Sequence, residues 1–160
     1  MADDLARLEE WFGKILRGMA PAERRRATLK LGQLLRKSNL ARISANKQPD
    51  GSAMEAKKAR LDKRGKIREA AGAKMFRGLR LAAKWRIDAA EDGVELLPVS
   101  KTAAKVGAVS QFGETATVGR LRNGRRIRVR YAERLLLGFS REDEDAALGV
   151  AAALLEADGL

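Results

Sequence analysis

The sequence predicts an α+β fold in which N- and C-terminal helices pack on a small, mostly antiparallel sheet, with a long basic loop or arm. Apolar residues recur at three- and four-residue steps near both ends, within residues 5–19 and 147–155. Between them the pattern nearly alternates, and Asp92-Gly93 and Asn123-Gly124 are typical hairpin turns. A chain of 160 residues suits one domain, so we expect a single domain over residues 1–160.

Two helices are predicted at the N-terminal end. Asp3 or Asp4 can cap the first, which should end near Gly18. Pro21 suits the first turn of the second helix, which should stop near Asn46. The first apolar stripe comprises Leu5, Leu8, Phe12, Ile15, Leu16 and Met19, and the predicted inner face of the second helix comprises Ala27, Leu31, Leu34, Leu35 and Ser38.

Residues 48–74 are predicted to form an exposed basic loop or arm, with a short helix around residues 53–64. The segment has few large apolar residues and many Lys, Arg, Ala and Gly, so it can bury little surface by itself. A loop of this length in a compact domain usually has a function, binds a neighbour or is disordered. We expect this one to become ordered on assembly.

After the basic segment, the spacing of apolar residues changes from helical to nearly alternating, and the remaining elements are predicted from this pattern. Residues 79–97 are predicted to form a hairpin around Asp92-Gly93, and residues 101–111 a short helix. After Asn123-Gly124, apolar and cationic residues alternate, which gives a strand with one face of each kind. The apolar face holds Ile127, Val129 and Tyr131, and the cationic face holds Arg126, Arg128 and Arg130. A final helix should begin at Ser140, where Ser140 and Asp143 resemble a capping box, and its inner stripe comprises Ala147, Val150, Ala151, Leu154 and Leu155.

The net charge of +12 is concentrated in the middle of the chain, since residues 24–88 hold 20 basic and five acidic side chains. Such a block can attract nucleic acid by releasing counterions. More often, such a block is a solvated helix face followed by a basic loop. The arginine stripe has similar alternatives: it can bind phosphates, pair with acids of an adjacent subunit, or protect a sheet edge from aggregation.

The composition argues against most catalytic chemistry. The chain contains no Cys and no His, so thiolate and imidazole metal sites and the usual nucleophile pairs are excluded. Glu142, Asp143, Glu144 and Asp145 are better explained by helix capping than by metal binding, and phosphate-binding glycine motifs are missing. We therefore expect no enzyme activity, cofactor or metal, and a soluble intracellular protein without a membrane span.

Two hydrophobic features stay ambiguous in the sequence. Leu135, Leu136, Leu137 and Phe139, within the segment 131–140, can pack in the core or lie at a subunit interface. Trp11 and Trp85 are large anchors suited to either place.

Four segments in the same order resemble the virion morphogenesis or tail completion proteins of contractile-tailed phages. They are Arg36–Met54, with its Pro49-Asp50-Gly51 turn, Met75–Arg80, Ser110-Gln111-Phe112-Gly113, and Tyr131–Ser140 with Arg134-Leu135-Leu136-Leu137-Gly138. The resemblance extends from about Pro21 to Leu155.

The resemblance implies a structural role in virion assembly, at the head-proximal end of the tail, completing it and helping to join it to the head. It implies a ring, by analogy with tail symmetry a hexamer, contacting tail tube or terminator and neck proteins, made in the host cytoplasm and retained in the virion. In such a ring, Arg126, Arg128 and Arg130 would make ionic contacts. Lys57, Lys58, Lys63, Arg64 and Lys66 would order on a neighbour or near genomic DNA in the channel.

Two alternatives remain. One is a nucleic-acid-binding module that uses the basic middle of the chain, although the seven aromatics offer little for base stacking. The other is a scaffolding or anti-host factor that is absent from mature particles.

Overall fold

The computed structural model describes residues 2–61, 64–69 and 75–157. These residues form the helices α1 (Ala2–Arg17), α2 (Pro21–Ser44), α3 (Lys101–Gln111) and α4 (Arg141–Ala157). The strands are β1 (Arg60–Leu61), β2 (Ile67–Glu69), β3 (Trp85–Ala89), β4 (Val94–Pro98), β5 (Thr115–Arg120) and β6 (Arg126–Arg130). The predicted α+β class is confirmed, and consecutive strands pair as three separate two-stranded sheets.

The chain divides into two compact units. The first contains residues 1–38, 85–97 and 139–160, and the second contains residues 39–84 and 98–138. Helix α2 contributes its first 18 residues, 21–38, to the first unit and its last turns to the second.

The core of the first unit joins α2 to α4. Met19, Ala27, Val150 and Ala151 are buried together, with Leu31 and Leu154 packed against them. The predicted inner stripe of α4 is therefore confirmed at its described side chains, which include buried Ala147. The side chain of Leu155 lies outside the described ones.

The predicted inner face of α2 is confirmed at Ala27 and Leu35, which are buried, but it was wrong at Leu34, which is exposed. The face that turns inward follows Thr28, Gly32, Leu35, Asn39 and Ile43, all of which are buried. Thr28 Oγ1 donates to Ala90 O at 2.7 Å, which satisfies a buried hydroxyl. Apolar periodicity missed Thr28, Gly32 and Asn39 on this face because their side chains are small or polar.

Gly32 allows α2 to approach the β3–β4 hairpin closely. A Cβ atom placed on Gly32 would lie 2.5 Å from Val94 Cγ2 and 2.7 Å from Ile87 Cγ2. Any larger residue would therefore push the helix away from the hairpin.

Helix starts partly follow the predictions. α2 begins at Pro21 as expected. α4 begins at Arg141, within the predicted capping box: Ser140 N donates to Asp143 Oδ2 at 2.9 Å, and Asp143 N donates to Ser140 Oγ at 3.3 Å. α1 begins at Ala2, so the prediction that Asp3 or Asp4 caps it was wrong, and both lie inside its first turn.

The second unit contains the basic segment. The helix predicted around residues 53–64 was wrong: residues 54–59 have no regular structure, and β1 follows them. Met54 N donates to Asn46 O at 2.8 Å, and Lys47 bridges Ala53, so this stretch folds back on the end of α2 as an extended chain. Buried Met54 anchors it.

The β5–β6 hairpin completes the second unit. Its antiparallel register pairs Thr115 with Arg130, Thr117 with Arg128 and Arg120 with Arg126, and an irregularity follows Thr117. The predicted turn at Asn123-Gly124 is confirmed, since Gly124 has a φ of 82°, a conformation that glycine adopts readily.

Candidate functional site

The connection from β6 towards α4 is held by side chains instead of secondary structure. We call residues 131–138 the strap. Gln111, the last residue of α3, holds its middle: Oε1 accepts from Leu136 N at 2.8 Å and from Leu137 N at 3.0 Å, while Nε2 donates to Leu137 O at 3.1 Å. One amide side chain thereby satisfies three backbone groups of an irregular segment.

The end of the strap is fixed to α2. Gly138 N donates to Asn39 Oδ1 at 3.1 Å, and Arg42 Nη2 donates to Gly138 O at 2.8 Å. A Cβ atom on Gly138 would lie 2.5 Å from Pro49 Cγ. Because Gly138 has no side chain, the strap can lie directly against the ring of Pro49.

The start of the strap is fixed by Arg134, a cation that is only 8% exposed. Its Nε donates to Glu55 O at 2.7 Å, and its backbone N donates to Ser110 O at 2.8 Å. Next to it, Leu135 N donates to Gln48 Oε1 at 3.1 Å. Arg134 therefore links the strap, α3 and the basic segment.

The turn after α2 supports these contacts. Asp50 Oδ1 accepts from Ser52 N at 2.9 Å and from Ser52 Oγ at 2.6 Å, and these hydrogen bonds lower the pKa of the Asp50 carboxyl. Arg80 Nη2 donates to Asn46 Oδ1 at 3.3 Å at the other end of the turn. The turn that presents Gln48 and Pro49 to the strap is thus fixed by polar side chains.

These contacts bring together the parts of the four sequence segments that lie in the second unit. α2 and its turn supply Asn39, Arg42 and Gln48, while the other partners are Arg80, Ser110 with Gln111, and the strap. Sequence reasoning singled out the segments but assigned no role to Gln111, Asn39, Arg42 or Gln48. The order of the four segments along the chain indicated that they matter together. The sequence did not predict which of their side chains would contact each other.

The structure shows which of the ambiguous leucine and aromatic side chains are buried and which are exposed. Leu136 is 1% exposed and belongs to the core of the second unit, whereas Leu135 is exposed. Phe112, which follows Gln111, is 68% exposed. In the first unit Trp85 is buried, while Trp11 and Phe139 are exposed. Exposed aromatic residues beside tightly held backbone are typical of protein interfaces.

The predicted cationic face of β6 is present and exposed. Arg126, Arg128 and Arg130 lie on one face of the hairpin, and the turn side adds Arg120, Arg122 and Arg125. No carboxylate of the described residues forms an ion pair with these six arginines. The predicted apolar face is also exposed, since Ile127 and Val129 retain 38% and 40% of their surface.

The predicted cations of the basic segment are dispersed. Lys58, Arg64 and Lys66 are exposed, Lys57 is half-buried, and Lys63 lies outside the described residues. They flank the short β1–β2 pair, in which Leu61 is opposite Ile67.

A cleft of about 190 Å³ lies between α3 and the hairpin, lined by residues that include Val106, Val109, Val118 and Tyr131; it is smaller than clefts that usually hold metabolites. Within the described residues there is no group of three Asp or Glu side chains placed to hold a metal ion. None of the described helices combines the length and hydropathy needed to cross a membrane.

The chain is similar in sequence to phage proteins. Residues 3–156 match the model of the phage virion morphogenesis family. Tail completion protein S of Escherichia phage P2 is 28% identical over 143 residues, which cover 88% of this chain and 90% of the phage P2 protein. No solved structure matches the chain.

Proposed function

The chain belongs to the phage virion morphogenesis family, and from this we propose that it completes the head-proximal end of a phage tail and helps to join the tail to the head. The observation that carries the proposal is the extent of the match, which includes both compact units, together with the tail completion function named for the phage P2 relative. Both units would then be needed for one assembly task.

The role we propose is structural and not enzymatic. The polar side chains that contact the strap hold its backbone, as Gln111 of α3 and Asn39 of α2 illustrate. The buried carboxylate of Asp143 is likewise used in a helix cap. What the second unit offers to the outside is a set of exposed apolar residues and arginines, which is the composition of a protein interface.

We propose that the protein acts as a ring, a hexamer by analogy with tail symmetry, between the tail tube or terminator and the neck proteins. A closed ring repeats each contact, so individually weak patches combine into a stable assembly. Arg126, Arg128 and Arg130 provide ionic contacts in this ring. Lys57, Lys58, Lys63, Arg64 and Lys66 contact a neighbouring subunit or lie near the genomic DNA in the channel. Assembly takes place in the host cytoplasm, and the protein stays at the neck region of the virion.

Electron microscopy of lysates tests the proposal. A producing strain in which the gene is interrupted is compared with the same strain carrying the intact gene in trans, and heads, tails and joined particles are counted. Filled heads beside unattached tails or tails of irregular length are expected. Normal joined virions in the interrupted strain would contradict the tail role. Mass spectrometry of purified virions then separates a permanent component from a factor used only during assembly.

A further inference from the structure

The β5–β6 hairpin is largely exposed: part of β5 lines the cleft beside α3, but no residue of either strand is buried. All five residues of β6 are exposed, including Ile127 and Val129, and in β5 Val118 is 51% exposed. A two-stranded hairpin is marginally stable by itself in water. Arg120 also lies directly opposite Arg126, a cross-strand pair of like charges that disfavours the hairpin unless an anion is near. A partner that covers this hairpin must therefore provide both apolar surface and negative charge.

A protein surface meets this requirement better than nucleic acid does. Phosphates can neutralise the arginines, but binding of single strands also uses aromatic side chains on which bases stack. Residues 115–130 contain no aromatic residue. A phosphate backbone would also leave Ile127 and Val129 in water, whereas a protein surface can bury them.

The outward stripe of α4 has the complementary pattern. Asp145, Leu148, Gly149, Ala152 and Glu156 are all exposed, and they lie on one side of the helix at steps of three and four residues. Ala147, Val150 and Ala151 lie on the other side and are buried.

The two surfaces also match in length. The carboxylates of the stripe are separated by about 16 Å along the helix, with a small apolar stretch between them. Arg126 and Arg130 are about 14 Å apart along β6. The apolar and cationic side chains of β6 point to opposite faces, but arginine side chains are long and flexible, so their charged ends can reach around the strand edge to a neighbour that covers Ile127 and Val129.

We propose that the β5–β6 hairpin of one copy docks on the outward stripe of α4 in the next copy, with Arg126, Arg128 and Arg130 near Asp145 and Glu156. The inference rests on the proposed ring and identifies the contact that closes it. Since the two surfaces are different, the contact is heterologous, and repetition of a heterologous contact produces a ring when its rotation closes.

Charge reversal of each surface tests this contact in the purified full-length protein. The hairpin variant carries Arg126, Arg128 and Arg130→Glu, and the helix variant carries Asp145 and Glu156→Lys. Sedimentation velocity measures the association of each variant alone and of an equal mixture. Each variant alone should self-associate at least about tenfold more weakly than the native protein, because like charges then face each other. The mixture should regain association, because every hairpin can meet an oppositely charged helix in an alternating ring.

The matched control reverses three exposed cations of α2, Arg25, Arg26 and Lys30→Glu, and changes the net charge as much as the hairpin variant does. It should associate as the native protein does, and circular dichroism should show native helix content in all variants. A mixture that stays dissociated, single variants that associate normally, or a native protein that is monomeric at every concentration would overturn the inference. So would duplex DNA binding that the hairpin reversal abolishes while self-association persists. These results concern the contact alone, whereas particle counts from the interrupted strain test the tail role, so the two failures are distinguishable.

Discussion

Gln111 and Leu137 are joined by a reciprocal pair of hydrogen bonds: Leu137 N donates to Gln111 Oε1 at 3.0 Å, and Gln111 Nε2 donates to Leu137 O at 3.1 Å. The pairing imitates that of two strands, although one partner is a side chain. It holds the strap against the end of α3, so that the side chain of Leu136 is buried and that of Leu135 is exposed.

Replacement of Gln111 by Ala should therefore destabilise the protein. Three backbone groups of the strap would lose their partners, at a cost of about 1–3 kcal/mol in the free energy of unfolding. Urea denaturation measures this loss in the free energy of unfolding. Gln33→Ala, at an exposed position of α2, is the matched control and should change the stability little. Equal stability of the two variants would show that water satisfies the strap as well as Gln111 does.

Replacement of Gly138 by Ala should be unfavourable for a steric reason. Its Cβ would lie 2.5 Å from Pro49 Cγ and 3.1 Å from Pro49 Cβ, so the strap or the turn must move. We expect a loss of about 1–3 kcal/mol, measured by thermal unfolding. Substitution of Pro49 by Gly in the same chain should recover part of the loss, and a double variant with additive losses would contradict the direct contact.

Gly32→Ala provides a test in the first unit. Alanine favours a helix over glycine by about 1 kcal/mol, but here its methyl group would meet Val94 and Ile87. We expect overpacking to lower the free energy of unfolding by a net amount of about 1–2 kcal/mol. Chemical denaturation measures this change. Gly149→Ala in α4 is the comparison, because nothing lies within 4 Å of the added Cβ, and it should be neutral or stabilising. Stabilisation by both substitutions would contradict the close approach of α2 to the hairpin at Gly32.

The cationic groups can be tested by complementation of the interrupted strain. A triple variant with Arg126, Arg128 and Arg130→Ala should lower the yield of joined particles at least about tenfold, as loss of several interface anchors does. A second variant replaces Lys57, Lys58, Lys63, Arg64 and Lys66 by Ala. The control variant carries Arg25, Arg26 and Lys30→Ala. Normal particle yield and ring formation in both test variants would contradict the roles proposed for these residues.

The turn after α2 should respond to acid through Asp50. Hydrogen bonds from Ser52 lower the pKa of Asp50 from its ordinary value of 3.8, so the folded protein binds this proton less readily than the unfolded chain does. The stabilisation is complete above the unfolded pKa and is lost as the pH falls through the folded one. Nuclear magnetic resonance titration of the carboxyl carbon measures the shift. Ser52→Ala should raise the pKa towards its ordinary value; an unchanged pKa would exclude Ser52 as the cause.

Much of the local structure could be predicted from the sequence because it depends on residues that are neighbours along the chain. Pro21 and the Ser140–Asp143 capping box set helix starts, and Asn123-Gly124 set a hairpin, through contacts within a few residues. The resemblance likewise identified the family from four ordered segments, and the match over residues 3–156 confirms it. The predictions of one domain and of the assembly residues stay predictions.

Tertiary structure decided the features that depend on distant partners. The buried face of α2 follows Thr28, Gly32 and Asn39, because a neighbouring hairpin and the strap offer close approach and hydrogen bonds that no periodicity encodes. The stretch after Pro49 is extended instead of helical because Met54 pairs back to Asn46 and Glu55 accepts from Arg134. Composition, charge pattern and turn chemistry, which are local, thus determined the class and most elements. The strap depends on contacts between residues up to 99 positions apart, and only the folded chain brings such residues together.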